Sequence, residues 1–305
     1  MLNIDRLQQH FGSRLQHNVR LANYTTSRVG GEAPCLLVAN SADELAADVQ
    51  YLWQNNDPVK IFGSGSNMLV SDHGLEAVVV VNKTKAIRFE KRENQPVVYA
   101  ESGATLITVA RQTAENGYDG MVWASTIPGT VGGAVYGNAG AHGSDTSLNL
   151  AMAEILHREK GRVSLDAEAM QYAYRSSFIK RNPGSAVILA ATFALRPADP
   201  QVVKAAMAAN AEKRRLSQPT GSCMGSMFKN PEGDKAGRLI EAAGLKGMKI
   251  GGVEISPKHA NFMINDGTGT AQDYRRLIEL TQNAVFEKFG VKLSLEIEII
   301  GEWQE

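Results

Sequence analysis

The chain has 305 residues, of which 43% are apolar and 21% are charged. This length exceeds what one small hydrophobic core requires and predicts two domains. Because 32 basic side chains balance 32 acidic ones, the composition argues against a nucleic acid or an anionic membrane as the partner.

The sequence also lacks the features of secreted and membrane-embedded proteins. No apolar run approaches the ~20 residues that a transmembrane helix needs, and residues 1–6 contain no apolar segment of a secretory signal. The two cysteines, Cys35 and Cys223, lie outside metal-ligand spacing, so we expect free thiols and no metal site. We therefore expect a cytoplasmic protein.

Short elements of both kinds follow one another along the first two thirds of the chain. Apolar runs predict strands, and apolar spacing behind a polar cap predicts helices, as Ser41 and Glu44 do at one helix start. Their irregular alternation favours an α+β fold over a regular doubly wound sheet. The predicted elements are a short helix in the opening segment, a strand near residues 35–38, a helix over residues 41–54, strands at residues 59–62, 77–81 and 97–100, a helix over residues 105–116, and strands near residues 153–157 and 187–195.

Two glycine-rich segments are candidate ligand loops. The first glycine loop, residues 63–67 (Gly-Ser-Gly-Ser-Asn), ends a predicted strand, and its successive N–H groups suit phosphate oxygens. It matches neither the Walker A nor the GxGxxG motif. The second, residues 127–143, is the glycine run, with six glycines from Gly129 to Gly143. Such density indicates positive φ or close approach of the backbone to a partner, so a ligand cradle and tight internal turns both stay open. Residues 24–31 likewise predict either a turn or a ligand contact.

The last third of the chain predicts a second domain. A boundary is expected at residues 197–200, and the helix predicted over residues 202–216 ends in the basic triplet 213–215. These cations suit a helix C-terminus because they oppose its dipole. Two further helices are predicted at residues 236–243, ended by Gly244, and over about twenty residues from a cap formed by Thr270 and Asp273 to Gly290.

The chain ends in a predicted strand with strict alternation. Apolar residues at odd positions from 291 to 299 face one way, so Glu296 and Glu298 share the other face. The pattern alone leaves both carboxylates solvated.

Five blocks taken together resemble the UDP-N-acetylenolpyruvoylglucosamine reductase family, in its shorter, second type. The resemblance extends from about residue 20 to the end of the chain. The shorter type is indicated because residues 187–195 lead directly to the last domain, without an extra tyrosine-bearing loop. The blocks are the first glycine loop, the glycine run, residues 174–178 (Tyr-Arg-Ser-Ser-Phe), residues 225–231 (Gly-Ser-Met-Phe-Lys-Asn-Pro) and residues 296–301 (Glu-Ile-Glu-Ile-Ile-Gly).

The resemblance implies a fold and a reaction. The fold is the vanillyl-alcohol-oxidase/p-cresol-methylhydroxylase flavin type: an N-terminal helical segment (1–20), an FAD-binding domain (21–198, with lobes at about 21–85 and 86–198) and a substrate-binding domain (199–305). NADPH reduces a non-covalent FAD, which passes hydride to C3 of an enolpyruvyl ether on a UDP-sugar, yielding UDP-N-acetylmuramate for peptidoglycan synthesis. We expect a monomer.

The family also implies roles for three side chains. Ser226 would donate the proton to C2, and Arg175 would bind the substrate carboxylate and stabilise the developing enolate. Glu296 would be the catalytic acid and would need a raised pKa. Glu298 stands where the family often has arginine. Without the resemblance, these residues predict only a turn serine, a surface ion-pair partner and a solvated carboxylate.

The remaining implied contacts are to cofactor and substrate. Two other functions stay open: a flavoprotein oxidase or dehydrogenase of the same fold, and a non-catalytic nucleotide-binding module. The implied FAD contacts are Gly63, Ser64, Gly65, Ser66, Asn67, Met68, Pro128, Gly129, Thr130, Gly132, Gly133, Asn138, Gly140 and Ala141. The implied substrate contacts are Tyr174, Arg175, Arg215, Asn230, Lys235 and His259.

Overall fold

The computed structural model describes residues 2–303. Its helices are α1 (Ile4–Phe11), α2 (Ala42–Gln54), α3 (Leu106–Glu115), α4 (Val131–Gly137), α5 (Thr146–Asn149), α6 (Phe178–Arg181), α7 (Pro200–Ser217), α8 (Ala236–Ala242) and α9 (Ala271–Phe289). Its strands are β1 (Gln16–Arg20), β2 (Glu32–Ala39), β3 (Val59–Phe62), β4 (Met68–Val70), β5 (Val78–Asn82), β6 (Ile87–Arg92), β7 (Gln95–Glu101), β8 (Tyr118–Asp119), β9 (Gly140–Ala141), β10 (Ser144–Asp145), β11 (Leu150–His157), β12 (Gly161–Leu165), β13 (Ala186–Ala194), β14 (Arg196–Pro197), β15 (Lys249–Ile250), β16 (Val253–Ile255), β17 (Met263–Asn265) and β18 (Glu298–Ile300).

The chain divides into two compact units. Unit 1 comprises the described residues up to Leu36, Ser64–Val78 and the described chain from Arg215, whereas unit 2 comprises Leu37–Gly63 and Val79–Arg214. The domains expected at residues 1–20, 21–198 and 199–305 are defined by the ligand that each would bind, whereas these units are defined by how compactly the chain packs. The expected domains therefore stay a prediction.

An antiparallel sheet organises unit 2, with strand order β12-β11-β13-β7-β6. Strand β13 is buried along nearly its whole length, as a central strand with both faces covered should be. Helices α3 and α4 contribute Val109, Val131 and Val135 to its core. Thr105 caps α3 by accepting a hydrogen bond from the N–H of Thr108, which confirms the predicted start of this helix.

Helix α9 organises unit 1 together with the sheet β15-β16-β17. Tyr274, Leu277, Ile278 and Val285 are buried on one side of the helix, as their spacing predicts. Thr270 and Asp273 form the predicted capping box, and the helix ends at Gly290 with a left-handed φ of +69°. Both of its ends therefore match the sequence signals.

Three predicted elements differ from the observed ones. The opening helix stops at Gly12, and Gln16–Arg20 instead forms β1, which pairs with β2. Helix α7 begins at Pro200 rather than at residue 202, because proline suits the first helical position. At the start of α2, Ser41 accepts from Glu44 N as expected, but Glu44 accepts from the N–H of Asn40, so the capping box is shifted by one residue.

The predicted terminal strand over residues 291–299 is also wrong in extent, since the strand β18 covers only Glu298–Ile300. The preceding residues pair elsewhere: Leu295 lies opposite Phe228, and Glu296 N donates to Met227 O. The strand β18 then pairs in parallel with β4. Because this segment changes partner between Glu296 and Glu298, it cannot continue as one regular strand.

A carboxylate from another part of unit 1 caps α9. Asp72, two residues after β4, accepts hydrogen bonds from the first two helical N–H groups, those of Ala271 and Gln272, both at 2.9 Å. We expect Asp72→Ala to lower the free energy of unfolding by about 1 kcal/mol, since orphan N–H groups lose their acceptor. The urea midpoint measures this. Glu279→Ala, in the exposed middle of α9, should change the free energy of unfolding by less than about 0.5 kcal/mol. An equal loss of stability in both variants would contradict a capping role for Asp72.

Candidate active site

The predicted site residues fall in both units and are described unit by unit. In unit 1, the first glycine loop continues from Ser64 to β4. A Cβ on Gly65 would lie 2.0 Å from the carbonyl oxygen of Tyr24, so packing alone requires glycine here. Among residues 2–303, no carbonyl accepts a hydrogen bond from the N–H of Ser64 or Gly65. These neighbouring amides fit a diphosphate oxygen.

Residues 24–31 form the turn that holds this loop. Leu21 N donates to Gly31 O and Ala22 N to Gly30 O, which closes the segment at its base. At its tip, the hydroxyl of Thr26 donates to the carbonyl oxygen of Cys223 at 2.6 Å, and Thr26 N donates to Gly65 O. Of the two interpretations, the structure supports a turn that fixes the first glycine loop.

In unit 2, the first half of the glycine run packs closely on other backbone. Val131 N donates to Ala104 O and Gly132 N to Ser102 O. A Cβ on Gly63 would lie 2.6 Å from Oγ1 of Thr130, the residue that caps α4. Gly63 therefore contacts the glycine run directly. Gly133 is exposed, and its nearest neighbour would lie 3.7 Å from an added Cβ, so it leaves room for a ligand.

The second half of the run contains tight turns. Strands β9 and β10 form a hairpin around His142 and Gly143, whose φ angles of +55° and +81° match a type I′ turn. Asn138 ends α4 in the left-handed region and is buried. Its side chain donates to Ala173 O and Asp145 Oδ2 and accepts from Ser147 N. Because these partners occupy the Asn138 amide, a contact with FAD would use its backbone.

Arg175 reaches the glycine run. Its guanidinium donates to Gly140 O at 3.0 Å and to Asn138 O at 3.5 Å. It also lies over the ring of Tyr174, 5.0 Å from the ring centre, and that ring is 52% exposed. The left-handed φ of +54° at Arg175 is uncommon for a residue with a long side chain. Such local strain is typical of functional positions.

In unit 1, Ser226 and Glu296 lie on adjacent hydrogen-bonded segments. Ser226 lies opposite Phe262, and the next residue, Met227, accepts a hydrogen bond from Glu296 N. Both Ser226 and Glu296 are half-buried. The structure therefore places the predicted proton donor and the predicted catalytic acid on neighbouring segments of unit 1.

Asn67 joins this pair from the first glycine loop. Its side-chain amide donates to Glu296 O at 3.1 Å, and its carbonyl accepts from Glu298 N at 3.0 Å. Glu298 is half-buried like Glu296, so the face that the sequence predicts to be solvated is only partly exposed to water. Pairing with β4 draws it partly out of water.

The other predicted substrate residues of unit 1 are more scattered. Asn230 and Lys235 are exposed and both precede α8. Asn230 Oδ1 accepts a hydrogen bond from the N–H of Ala236, the first residue of that helix, at 3.1 Å. Arg215 is exposed in the last turn of α7, and its carbonyl accepts from the Lys258 ammonium. The Arg215 and Lys235 side chains are cations at the surface, where they can meet a phosphate.

His259 has a fixed orientation in unit 1. Its Nδ1 accepts a hydrogen bond from Asn261 N at 3.2 Å, which leaves Nε2 as the N–H donor of the neutral ring. The ring packs edge-on against Phe262. Burial lowers the pKa of His259, and the Lys246 ammonium lowers it further.

Lowered pKa at His259 predicts acid sensitivity. The unfolded chain takes up the proton more readily than the folded one, so this contribution to stability is present above the ordinary pKa of about 6.5 and is lost as pH falls below it. We expect His259→Gln to reduce the loss of urea midpoint between pH 7.5 and pH 5. The exposed His17→Gln serves as control and should retain the wild-type loss. Identical pH profiles for His259→Gln and wild type would contradict this role.

Sequence reasoning missed three residues in or near the glycine run, Thr126, His142 and Arg214. Thr126 Oγ1 lies 2.9 Å from His142 Nε2, and Arg214 donates to the Thr126 carbonyl. For His142, the only available signal was the glycine that follows it, which is typical of a turn. Nothing in the sequence links Thr126 to Arg214, 88 positions away.

Comparisons with known proteins agree with this arrangement. Residues 217–300 match the C-terminal domain of UDP-N-acetylenolpyruvoylglucosamine reductase, and residues 33–164 match an FAD binding domain. The UDP-N-acetylenolpyruvoylglucosamine reductase of Chloroflexus aggregans is 40% identical over 290 residues, 94% of this chain and 97% of the relative. The chain belongs to the UDP-N-acetylenolpyruvoylglucosamine reductase family. The reductase of Anoxybacillus flavithermus is 38% identical over 97% of both chains.

A solved member of the reductase family has the same fold. The crystal structure of UDP-N-acetylenolpyruvylglucosamine reductase from Thermus caldophilus superposes with a TM-score of 0.80 at 30% identity, covering 94% of this chain and 98% of that one. The predicted family, its shorter type, the α+β flavin fold and FAD as cofactor are thereby confirmed.

Two further properties concern the described part of the chain alone. Within residues 2–303, no cluster of three histidine, cysteine or acidic side chains is arranged to hold a metal ion. None of the helices in that range combines the length and apolarity needed to cross a bilayer.

Proposed function

We propose that this chain reduces the enolpyruvyl ether of UDP-N-acetylglucosamine enolpyruvate to UDP-N-acetylmuramate with NADPH, in peptidoglycan precursor synthesis. Membership of the reductase family supports the reaction. The observation that carries it is that Ser226 and Glu296 lie on adjacent segments of unit 1, because Glu296 N donates to the carbonyl of Met227, the residue after Ser226. Protonation of an enolate requires a proton donor and a group that stabilises the enolate oxygen, and these two segments supply one candidate for each.

The residues present fit FAD in both units. In unit 1 the open amides of Ser64 and Gly65 suit the diphosphate. In unit 2 the exposed Gly133 lets the cofactor approach the backbone. When bound, FAD supplies the hydride that it receives from NADPH, and the protein positions the groups and handles the proton. Other residues implied to contact FAD are Ser66, Asn67 and Met68 in unit 1 and Pro128, Gly129, Thr130, Gly132, Gly140 and Ala141 in unit 2.

Ser226 would deliver the proton to C2 of the substrate. A serine hydroxyl is a weak acid in water, so it needs cationic or hydrogen-bonding neighbours in order to donate. Lys229, three residues on, is half-buried and is held by the bond from Lys229 N to Ser294 O. It would favour the alkoxide that remains when the proton leaves. Glu296 in its protonated form would donate a hydrogen bond to the enolate oxygen.

Arg175 would bind the substrate carboxylate. A guanidinium matches a carboxylate in a bidentate manner and keeps its charge at any working pH. The carbonyl groups of Asn138 and Gly140 orient it, so the same residue would link the glycine run to the substrate. Tyr174, Arg215, Asn230, Lys235 and His259 would contact the rest of the nucleotide sugar.

The enzyme is proposed to work in the cytoplasm as a monomer, on small molecules alone. The experiment that tests the function uses the purified wild-type protein under anaerobic conditions. Its visible absorbance should show bound flavin, bleach with NADPH and recover only when the enolpyruvyl sugar nucleotide is added. A protein that bleaches but ignores this substrate would be another flavoenzyme, and one that retains flavin but is not reduced by NADPH would be a binding module. Failure to take up FAD would overturn the proposal entirely.

A further inference from the structure

A side-chain hydrogen bond joins the two ends of the glycine run. Thr126 immediately precedes the run, and its Oγ1 lies 2.9 Å from Nε2 of His142, next to the last glycine. Thr126 is 9% exposed, so water competes little for its side of the bond. One contact thus closes a segment of 16 positions, which restrains a stretch whose glycines would otherwise make it flexible.

A third residue fixes the same threonine. Arg214 Nη1 donates to the carbonyl oxygen of Thr126 at 2.5 Å, a charge-assisted bond that is stronger than a neutral one. Arg214 lies near the end of α7, a helix of 18 residues. The start of the glycine run is therefore anchored to a long regular element.

The backbone at His142 indicates that its ring is needed. His142 is the first of the two central residues of a type I′ turn, with a φ of +55°, where glycine, asparagine and aspartate are favoured. His142 is exposed, but partial desolvation of its ring by the neighbouring chain, together with the Lys213 and Arg214 cations, lowers its pKa. The ring is therefore neutral at neutral pH and hydrogen-bonds the Thr126 hydroxyl. The turn itself does not require histidine, whereas the hydrogen bond to the Thr126 hydroxyl uses the Nε2 atom of its ring.

We propose that Thr126, His142 and Arg214 form a clasp that holds the glycine run in its FAD-binding conformation. This inference rests on the proposed function. The three are positioning residues, since they act through the backbone of residues 127–143. A loop that is already ordered loses less conformational freedom when its ligand binds, so the clasp tightens FAD binding without touching the flavin.

The test measures FAD dissociation from purified holoenzyme after dilution, through the fluorescence of the released flavin. His142→Gly removes the ring but eases the turn, because glycine adopts positive φ without strain. Thr126→Val removes the hydroxyl and keeps the shape, whereas Thr126→Ser keeps the hydroxyl. We expect the first two variants to weaken FAD affinity about fivefold, the effect of one neutral hydrogen bond, and Thr126→Ser to match wild type.

Because both changes break one bond, the double variant Thr126→Val/His142→Gly should also lose only about fivefold. Wild-type affinity in His142→Gly would overturn the clasp, as would independent losses that multiply in the double variant. Equal losses in Thr126→Ser and Thr126→Val would overturn it too, because the hydroxyl would then be irrelevant. A wild-type protein that holds no FAD would instead overturn the proposed function.

Discussion

Ser226→Ala is expected to leave reduction of the flavin by NADPH within about twofold of wild type and to slow its reoxidation by the enolpyruvyl substrate by about 10²–10⁴-fold. The reason is that the hydroxyl is needed only when C2 takes up a proton. Stopped-flow absorbance separates the two half-reactions. Ser222→Ala, in the same loop and also half-buried, is the matched control and should preserve both rates.

Equal slowing of both half-reactions in Ser226→Ala would contradict proton donation and indicate a disturbed flavin site. The local structure makes such disturbance unexpected. The segment is held by backbone bonds at Met227 N to Asn261 O and at Lys229 N to Ser294 O. Asn261 adds side-chain bonds to both the N–H and the carbonyl of Phe228. None of these bonds uses the Ser226 hydroxyl.

Glu296→Gln is expected to slow reoxidation by about 10²-fold, the lower end of what a positioned acid contributes. An amide keeps the size of the side chain and can still donate a hydrogen bond, but it cannot move a proton towards the enolate oxygen. Glu298→Gln is the matched control, two residues away on the same segment and equally half-buried. It should slow reoxidation less than Glu296→Gln does.

If Glu298→Gln slowed reoxidation more than Glu296→Gln, the catalytic acid would be Glu298, two residues after the assigned one. The backbone favours the present assignment. Both glutamates bond to Asn67 of the first glycine loop, but only Glu296 also bonds to the segment that follows Ser226.

Local signals predicted most elements correctly. Helix α9 begins and ends where its capping box and Gly290 indicate, and Thr105 starts α3 as expected. These are interactions between residues close in sequence, so a pattern of a few positions contains them. The terminal strand failed for the opposite reason, because its length depends on Phe228 and β4, which lie far away along the chain.

The site shows the same division. Ser226, Glu296 and Arg175 came from the resemblance, since no local pattern distinguishes them from a turn serine, a solvated carboxylate or a surface arginine. The glycines have different reasons: the Tyr24 carbonyl requires glycine at Gly65, whereas an added Cβ on Gly133 would meet only Oγ1 of Thr130, at 3.7 Å. Composition cannot separate these cases, because both a tight internal contact and a ligand select for the absence of a side chain.

The pairing of β18 with β4 affects the order in which the two units fold during synthesis. The side chain of Asn67 bonds to Glu296, 229 positions later, and β18 is the last strand of the described chain. During synthesis, the first glycine loop therefore lacks its partner until residues 296–300 have left the ribosome. Contacts of such long separation are slow to form. Unit 1 is accordingly expected to fold after unit 2, whose last residue is Arg214.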